Sequence, residues 1–251
     1  PSIICWGRMD RRSIRFAVNV CGNTTAGIKR SLSSLYAERC DRKSLIYTNS
    51  KANAETTLTT TTQQVFDALD IKCEVVPFTG DCGIMMKAYL MAAFCGDSIE
   101  DGYDGIPLPL IYAMPCTAAA NAGINDPLLE DILRKSLPPN KIDVVQEMGR
   151  ADRGQNPVGE YKYEVFLSFD DVMNLLLRIF QMSVKYVRDL EYKEFYDVLQ
   201  LMVLPTRCCH IVMENWFEKP ICPNDMEPSR LPCVTMRPRP MKFQPPRQRV
   251  K

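Results

Sequence analysis

The sequence lacks the apolar runs and leader pattern that direct a chain into or across a membrane. No stretch approaches the roughly 18 apolar residues of a membrane-spanning helix, and no basic segment precedes an apolar one as in a signal peptide. No C-x-x-C pair occurs, so the tight knuckle of many zinc sites is absent. The chain starts with Pro1 rather than Met, and we therefore expect a fragment or a processed product.

The composition is that of an ordinary globular protein with one unusual end. Hydrophobic residues make up 46% and charged residues 24% of the 251 positions, which excludes a chain disordered throughout. The eleven cysteines are an odd number in a long chain, so we expect reduced thiols in an intracellular protein, nuclear if the source is eukaryotic. Residues 230–251 hold seven Lys or Arg and no acid, and this Pro-rich end predicts a disordered basic tail that touches polyanions.

Strand-like and helix-like segments alternate through about residue 150, which predicts a parallel sheet covered by helices. The predicted strands are 14–21, 43–48, 72–78, 110–114, 141–145 and 161–169, and the predicted helices are 26–40, 84–94, 128–137, 170–189 and 193–204. Ser50 is a plausible N-cap for a further helix with Glu55 in its early turns, and a helical pattern resumes at 63–69. The six threonines in 56–62 either belong to this helix or form a loop insertion, because threonine is a poor helix former.

A glycine-rich turn after the first predicted strand is one candidate phosphate site. Gly22 and Gly27 have the spacing of a P-loop, but Ile28 separates Gly27 from Lys29. One extra residue turns the lysine by about 100° on a helix, away from a bound phosphate. The pattern therefore favours an ordinary turn and helix start, and a free-standing P-loop enzyme remains the alternative.

The segment 146–154, QEMGRADRG, is the stronger candidate. Arg150 and Arg153 are three residues apart, so they share one face of a helical turn, and Gly149 allows close approach of the backbone. Paired guanidinium groups suit the spread negative charge of a transferring phosphate. The alternative is a solvated surface turn.

This segment resembles motif six of the RecQ family of superfamily-two helicases, Q-E-x-G-R-x-G-R. Further segments resemble family features in the same order along about residues 8–225. These are 12–16 for the link from the first lobe, 43–50 for motif four, 78–81 with Lys87 and Phe94 for a DNA-facing stretch, 115–125 for motif five, and 208–217 for the opening of the zinc region.

The resemblance implies a RecA-like α/β lobe that forms the C-terminal half of an ATP-dependent 3′–5′ DNA helicase. ATP and Mg²⁺ would be shared with an N-terminal RecA-like lobe, and DNA would be the other partner. Arg153 would be the arginine finger, with Arg150 and Gln146 coupling the cleft to the lobe and with Gly123 and Asn125 beside the nucleotide. The residues implied to hold DNA phosphates are Thr48, Ser50, Thr79 and Thr117.

The sequence departs from the family pattern at several points. Asp152 replaces the glycine before the second arginine of motif six, and Asn125 replaces the aspartate that ends motif five. The first lobe, which carries the P-loop lysine and the magnesium carboxylates, is not in this sequence. These departures favour an alternative function, a non-catalytic nucleic-acid-binding remnant or regulatory fragment.

The resemblance also implies a zinc-binding region with loose spacing. Its candidate ligands are Cys208, Cys222 and Cys233, with His210 or Cys209 as the fourth. The alternative is free thiols, with Cys208 and Cys209 packed under Trp216. The expected organisation is the end of the interlobe link at 1–9, the RecA-like lobe at 10–168, a helical and zinc-binding-like subdomain at 169–235 and the basic tail at 236–251.

Overall fold

The computed structural model describes residues 14–96, 110–121, 124, 126–151, 161–203, 212, 213 and 216. Its strands are β1 (Ile14–Val20), β2 (Lys43–Thr48), β3 (Ala113–Cys116), β4 (Leu129–Lys135) and β5 (Tyr161–Leu167). They form one five-stranded sheet in the order β1-β5-β4-β2-β3, and every neighbouring pair is parallel.

Four helices lie between strands along the chain, and two more follow the last strand. They are α1 (Thr24–Glu38), α2 (Thr59–Ala68), α3 (Ile84–Cys95), α4 (Lys141–Met148), α5 (Phe169–Phe180) and α6 (Lys185–Val203). A π-helical turn, Asn53–Leu58, leads into α2, and a 3₁₀ turn, Ala118–Asn121, follows β3.

The core has two halves because helices cover both faces of the sheet. Along the fully buried strand β2, Ile46 packs toward α1 and α2, whereas Leu45 and Tyr47 pack toward α3, α4, α5 and α6. Burial on both faces is characteristic of parallel sheets in α/β proteins. The predicted fold class, an α/β fold with a parallel sheet covered by helices, is confirmed.

The helix predicted at 128–137 is wrong, because most of this segment forms strand β4. The segment lies inside the sheet, where it buries two charged side chains, Asp131 and Arg134. Asp131 accepts two hydrogen bonds from Arg42, and Arg134 is paired with Glu147. These partners offset the cost of burying charge in a strand, and they cannot be inferred from local periodicity.

The strand predicted at 141–145 is also wrong, because this segment forms the first part of helix α4. The β-branched residues of this segment suit a strand, but Asn140 begins a helix here. Its side-chain oxygen accepts a hydrogen bond from the Asp143 amide at 2.8 Å, which is a typical N-cap. The cap and the burial of Val144 and Met148 outweigh the local preference.

Three further predictions also differ from the structure. Of the strand expected at 72–78, only Phe78 pairs, through one parallel bridge to Cys116. At 56–62 the loop-insertion alternative is wrong and the helical alternative is confirmed, and Thr56, Thr59 and Thr61 each donate a hydroxyl hydrogen bond to a carbonyl of the preceding turn. The break between the last two helices lies at 181–184 rather than at 190–192.

Candidate functional site at the carboxyl edge of the sheet

The residues predicted to hold DNA phosphates all follow strands at one edge of the sheet. Thr48 is the last residue of β2, Ser50 lies two positions later, and Thr117 follows β3. Thr79 comes directly after Phe78, which bridges to the end of β3. Because all strands are parallel, these positions share the carboxyl edge, which is where α/β proteins commonly bind ligands.

The hydroxyl groups of these residues differ in accessibility. Thr48 and Thr79 are 2% and 1% exposed, and Thr79 donates to Glu55 Oε1 at 3.2 Å. Ser50 and Thr117 are half-buried, and their hydroxyl oxygens accept from the amides of Asn53 and Ala119 at 3.3 and 3.5 Å. Ser50 and Thr117 are therefore the two that can reach a bound strand without rearrangement, and the role of all four stays a prediction.

Arg150 lies just after α4 and is held by the chain itself. Its Nη1 donates to the carbonyl of Ile124 at 2.8 Å, and its Nη2 donates to the carbonyl of Asn121. Its Nε is buried and has no hydrogen-bond partner among the described residues. Arg150 thus fastens the segment after α4 to the segment after β3. Gln146 is exposed on α4.

A polar cluster centred on the buried Arg134 lies behind this edge and was not predicted from the sequence; Asn49, at one end of the cluster, is exposed. Arg134 is 1% exposed; its Nη1 donates to Glu147 Oε1 and its Nη2 to Asn49 Oδ1. Asn49 in turn donates to the Leu137 carbonyl at 2.8 Å, and the Tyr163 hydroxyl donates to Glu147 Oε2 at 2.8 Å. The sequence contained one indication of this cluster: Asn49 and Glu147 lie inside the segments 43–50 and 146–154, which resemble helicase motifs.

Burial dominates the electrostatics of this cluster. It raises the pKa of Glu147 to about 7, although the Arg134 charge and the Tyr163 hydrogen bond act in the opposite direction. Burial also raises the pKa of the Cys116 thiol, which keeps this residue an inert core thiol. Glu147 is therefore the described carboxyl group whose charge state is poised near neutral pH.

The glycine-rich turn does not have the geometry of a phosphate loop. Lys29 donates to Gln64 on α2 at 2.9 Å, and Ser31 donates to Glu164 on β5 at 2.5 Å. Gly27 lies against the ring of Phe166, so its missing side chain serves packing between α1 and β5. These contacts support the interpretation as an ordinary turn and helix start.

Several predicted site residues lie outside the residues that the structure describes. They are Arg153, Gly123, Asn125, Cys208, His210, Cys222 and Cys233, together with Asp152 and the alternative ligand Cys209. Among the residues that are described, no three His, Cys, Asp or Glu side chains are grouped as metal ligands would be. Within the same residues, no helix is both long and apolar enough to span a bilayer.

Comparison with known proteins gives similarity of structure only. No protein-family profile and no curated protein sequence matches the chain. Among solved structures, the Mycobacterium smegmatis helicase Lhr, bound to ssDNA and AMP-PNP, is 14% identical with a TM-score of 0.46, and the match covers 67% of this chain and 22% of Lhr.

Two structures with bound RNA show similar sequence identities and TM-scores. Domain 2 of the DEAD-box helicase Mss116p, bound to an RNA duplex, is 11% identical, with a TM-score of 0.47 and coverage of 80% of this chain and 86% of that one. Saccharomyces cerevisiae Dbp5, bound to RNA and ADP BeF₃, is 15% identical, with a TM-score of 0.48 and coverage of 74% and 46%. The chain thus spans about a fifth of Lhr and under half of Dbp5. Likeness at this level concerns the arrangement of helices and strands, and it does not extend to activity.

Proposed function

We propose that the chain is the second motor lobe of an ATP-dependent DNA helicase that resembles RecQ. In this proposal the carboxyl edge forms part of the DNA track. Arg153 supplies the finger toward the ATP phosphates, and Arg150 and Gln146 couple that finger to the lobe. The partner across the cleft is an N-terminal RecA-like lobe that carries the P-loop and the magnesium carboxylates.

The observation that carries the proposal is the hydrogen bonding of three motif-like segments that are distant in sequence, two of them directly and the third through Arg134. Arg150, in the segment that resembles motif six, donates to the carbonyls of Asn121 and Ile124, in the segment that resembles motif five. Glu147 and Asn49, from the motif-six and motif-four segments, meet on Arg134. A chance resemblance would not require these segments to be bonded to each other.

The surroundings of Arg150 suit a bound ATP phosphate. Two of the five guanidinium N–H donors bond to carbonyls, and the Nε–H donor is buried without a partner among the described residues. A phosphate oxygen would satisfy such a donor, so Arg150 fits a place beside the nucleotide. When bound, ATP would supply the phosphoryl group whose hydrolysis drives motion between the lobes. Arg150 itself would hold the 121–124 segment in position.

A non-catalytic nucleic-acid-binding lobe is the second candidate function. It is favoured by Asp152 and Asn125, which replace the glycine and the aspartate of the family motifs. A carboxylate beside Arg153 would compete with phosphate for its guanidinium group. In this alternative, the carboxyl edge still binds a strand, but no hydrolysis depends on the arginines.

Binding of single-stranded DNA tests what both candidates share. A fluorescently labelled oligonucleotide titrated with the chain should show an anisotropy increase that weakens between about 50 and 200 mM salt, because phosphate contacts release counterions. Ser50→Ala and Thr117→Ala should each raise Kd roughly two- to tenfold, the factor for one lost hydrogen bond.

Ser33→Ala is the matched control, since the Ser33 hydroxyl bonds to the Lys29 carbonyl on an exposed part of α1. It should leave Kd unchanged. Absence of binding at the lowest salt concentration, or equal effects of all three variants, would overturn the proposed DNA track.

ATP hydrolysis separates the two candidates. The chain alone should show no DNA-stimulated hydrolysis above background, because the sequence holds neither a P-loop lysine nor magnesium carboxylates in the expected context. In the protein that contains both lobes, Arg153→Ala should lower the rate on the order of a thousandfold with little change in nucleotide affinity. Asp152→Gly should raise the rate. If neither substitution changes the ATP hydrolysis rate of the two-lobe protein, the result favours the non-catalytic alternative.

A further inference from the structure

Arg134 is unusual because it is a fully buried cation in the interior of a parallel sheet. It lies in β4, between β2 and β5, and 1% of its surface is exposed. Arginine cannot lose its proton under ordinary conditions, so its charge must be met by partners inside the protein. Burying it without partners would cost several kcal/mol, and its contacts therefore define what the residue does.

The two ends of the Arg134 guanidinium group hold two different parts of the site. Nη2 donates to the side-chain oxygen of Asn49, which lies between Thr48 and Ser50 at the end of β2. Nη1 donates to Glu147, which lies on α4 one turn before Arg150. Among the described side chains, Arg134 is the one that hydrogen-bonds to both partners.

Each partner is fixed a second time from another direction. The Asn49 amide nitrogen donates to the Leu137 carbonyl at 2.8 Å, which sets the orientation of the whole side-chain amide. Glu147 accepts from the Tyr163 hydroxyl at 2.8 Å on its second oxygen. With both partners held in this way, a displacement at one end of Arg134 must be transmitted to the other end or break a hydrogen bond of its guanidinium group.

We propose that Arg134 is a positioning residue that makes the segment 48–50 and helix α4 with Arg150 move as one unit. Under the proposed function, on which this interpretation rests, it would link the DNA track to the nucleotide-facing arginines inside a single lobe. The planar guanidinium fork is suited to this bridge, because it presents donors in two fixed directions; a lysine ammonium is a point charge and cannot span both partners in the same geometry.

Hydrogen exchange tests the link without any requirement for DNA binding. Asn49→Ala removes one hydrogen bond of Arg134 and should speed amide exchange in 146–151. Glu147→Gln keeps an acceptor for Arg134 but removes the negative charge that strengthens this hydrogen bond, and it should speed exchange in 49–53. We expect each effect to be roughly two- to tenfold. In both cases the affected amides are distant in sequence from the substitution. Arg134→Lys should speed exchange in both segments.

The Asn19–Glu164 contact provides a matched control on the same sheet. Asn19 donates to Glu164 Oε1 at 2.6 Å between β1 and β5, and neither residue belongs to the proposed binding surface. Asn19→Ala and Glu164→Gln should change exchange in neither 49–53 nor 146–151. If these variants speed exchange there as much as the test variants do, general loss of stability explains the effect and the proposal is wrong.

The two mild substitutions keep the test decisive even if Arg134→Lys does not fold. If Asn49→Ala and Glu147→Gln change exchange only around their own positions, Arg134 does not join the two segments. A DNA titration of Glu147→Gln then separates this result from failure of the proposed function. Glu147→Gln should raise Kd for single-stranded DNA by at least twofold, while Glu164→Gln leaves it unchanged. If the unsubstituted chain binds no DNA, the proposed function fails, and hydrogen exchange alone decides the role of Arg134.

Discussion

Gly27 on α1 faces the ring of Phe166 on β5 so closely that a Cβ at Gly27 would lie 2.8 Å from Phe166 Cδ1. Phe166 is 3% exposed and belongs to the core between the sheet and α1 and α2, so its ring has little room to retreat. The glycine is therefore a site of close helix–sheet contact, in a segment whose glycine pattern had also suggested a phosphate loop.

Gly27→Ala should lower the free energy of unfolding. Alanine alone would favour the helix by about 0.5–1 kcal/mol, but overpacking a filled core costs about 1–3 kcal/mol. We expect a net loss of about 1–2 kcal/mol in urea unfolding. Gly22→Ala is the control, because a Cβ there meets nothing within 4 Å. A stabilised Gly27→Ala variant would show that the ring yields and that the packing argument is wrong.

Asp126→Asn should destabilise the fold through the buried ion pair with Lys43. The two charged atoms are 2.6 Å apart, the Asp126 side chain is completely buried, and the ammonium group of Lys43 also lies 5.5 Å from the ring centre of Phe94. Removing one charge leaves the other without its counterion, at a cost of about 3 kcal/mol. Chemical unfolding measures this cost.

The exposed pair of Lys51 and Asp81 is the control for that measurement. The side chain of Asp81 is 69% exposed, so water replaces its partner readily. Asp81→Asn should leave the unfolding midpoint unchanged. Equal effects of Asp81→Asn and Asp126→Asn would mean that burial does not govern these ion pairs.

The stability of the chain should depend on pH through Glu147. Its pKa is raised from 4.5 to about 7 in the folded state, so folding takes up a proton between these values. The contribution of the neutral carboxyl group is therefore complete below about pH 4.5 and is lost as the pH rises through about 7. In Glu147→Gln, the decline in unfolding free energy between about pH 5 and 8 should be smaller than in the unsubstituted chain, by up to about 3 kcal/mol.

Subtracting the two pH profiles isolates Glu147 from other groups. Burial also raises the pKa of Asp131, which adds a decline of the same sign in both proteins. The difference between the profiles should become constant at low pH, where Glu147 is neutral in both the folded and the unfolded state. Parallel profiles across the whole range would show that Glu147 stays ionised and that the Arg134 charge outweighs burial.

Zinc content tests the resemblance at 208–233. The purified chain should contain about one zinc ion, and a chelator should lower its melting temperature, because binding to a folded site stabilises the fold. Cys222→Ser should reduce the zinc content, while Cys40→Ser should not, since Cys40 is an exposed thiol on the connection between α1 and β2. Trace metal would leave these cysteines as ordinary thiols.

The sequence was sufficient to predict those strands and helices whose local residue pattern agrees with their burial in the fold. Strand β2 was predicted with its observed bounds, and β1 and β5 within two residues at either end. Strand β4 and helix α4 were exchanged because their local preferences oppose their places in the fold. Leu129 to Lys135 carries charges that only long-range partners satisfy, and the Asn140 cap decides the next segment.

The candidate site was predictable as a set of positions, but its hydrogen bonds were not. The resemblance to motifs four and five indicated Ser50 and Thr117, and the paired arginines indicated Arg150. Arg134 could not be recognised, because its role depends on Asn49 and Glu147, which are 85 and 13 residues away along the chain. A buried arginine in a strand is defined by such long-range contacts, which residue periodicity does not contain.

The position of β1 has a consequence for how the protein folds. Strand β1 is at the sheet edge and pairs only with β5 among the described strands, and the Asn19–Glu164 hydrogen bond that ties them spans 145 residues. Closing so long a loop has an entropic cost, which the pairing of β1 with β5 must offset. During synthesis, β1 leaves the ribosome long before its partner exists. We expect the β2-β3-β4 part of the sheet to form first and the addition of β1 to be a late and slow event.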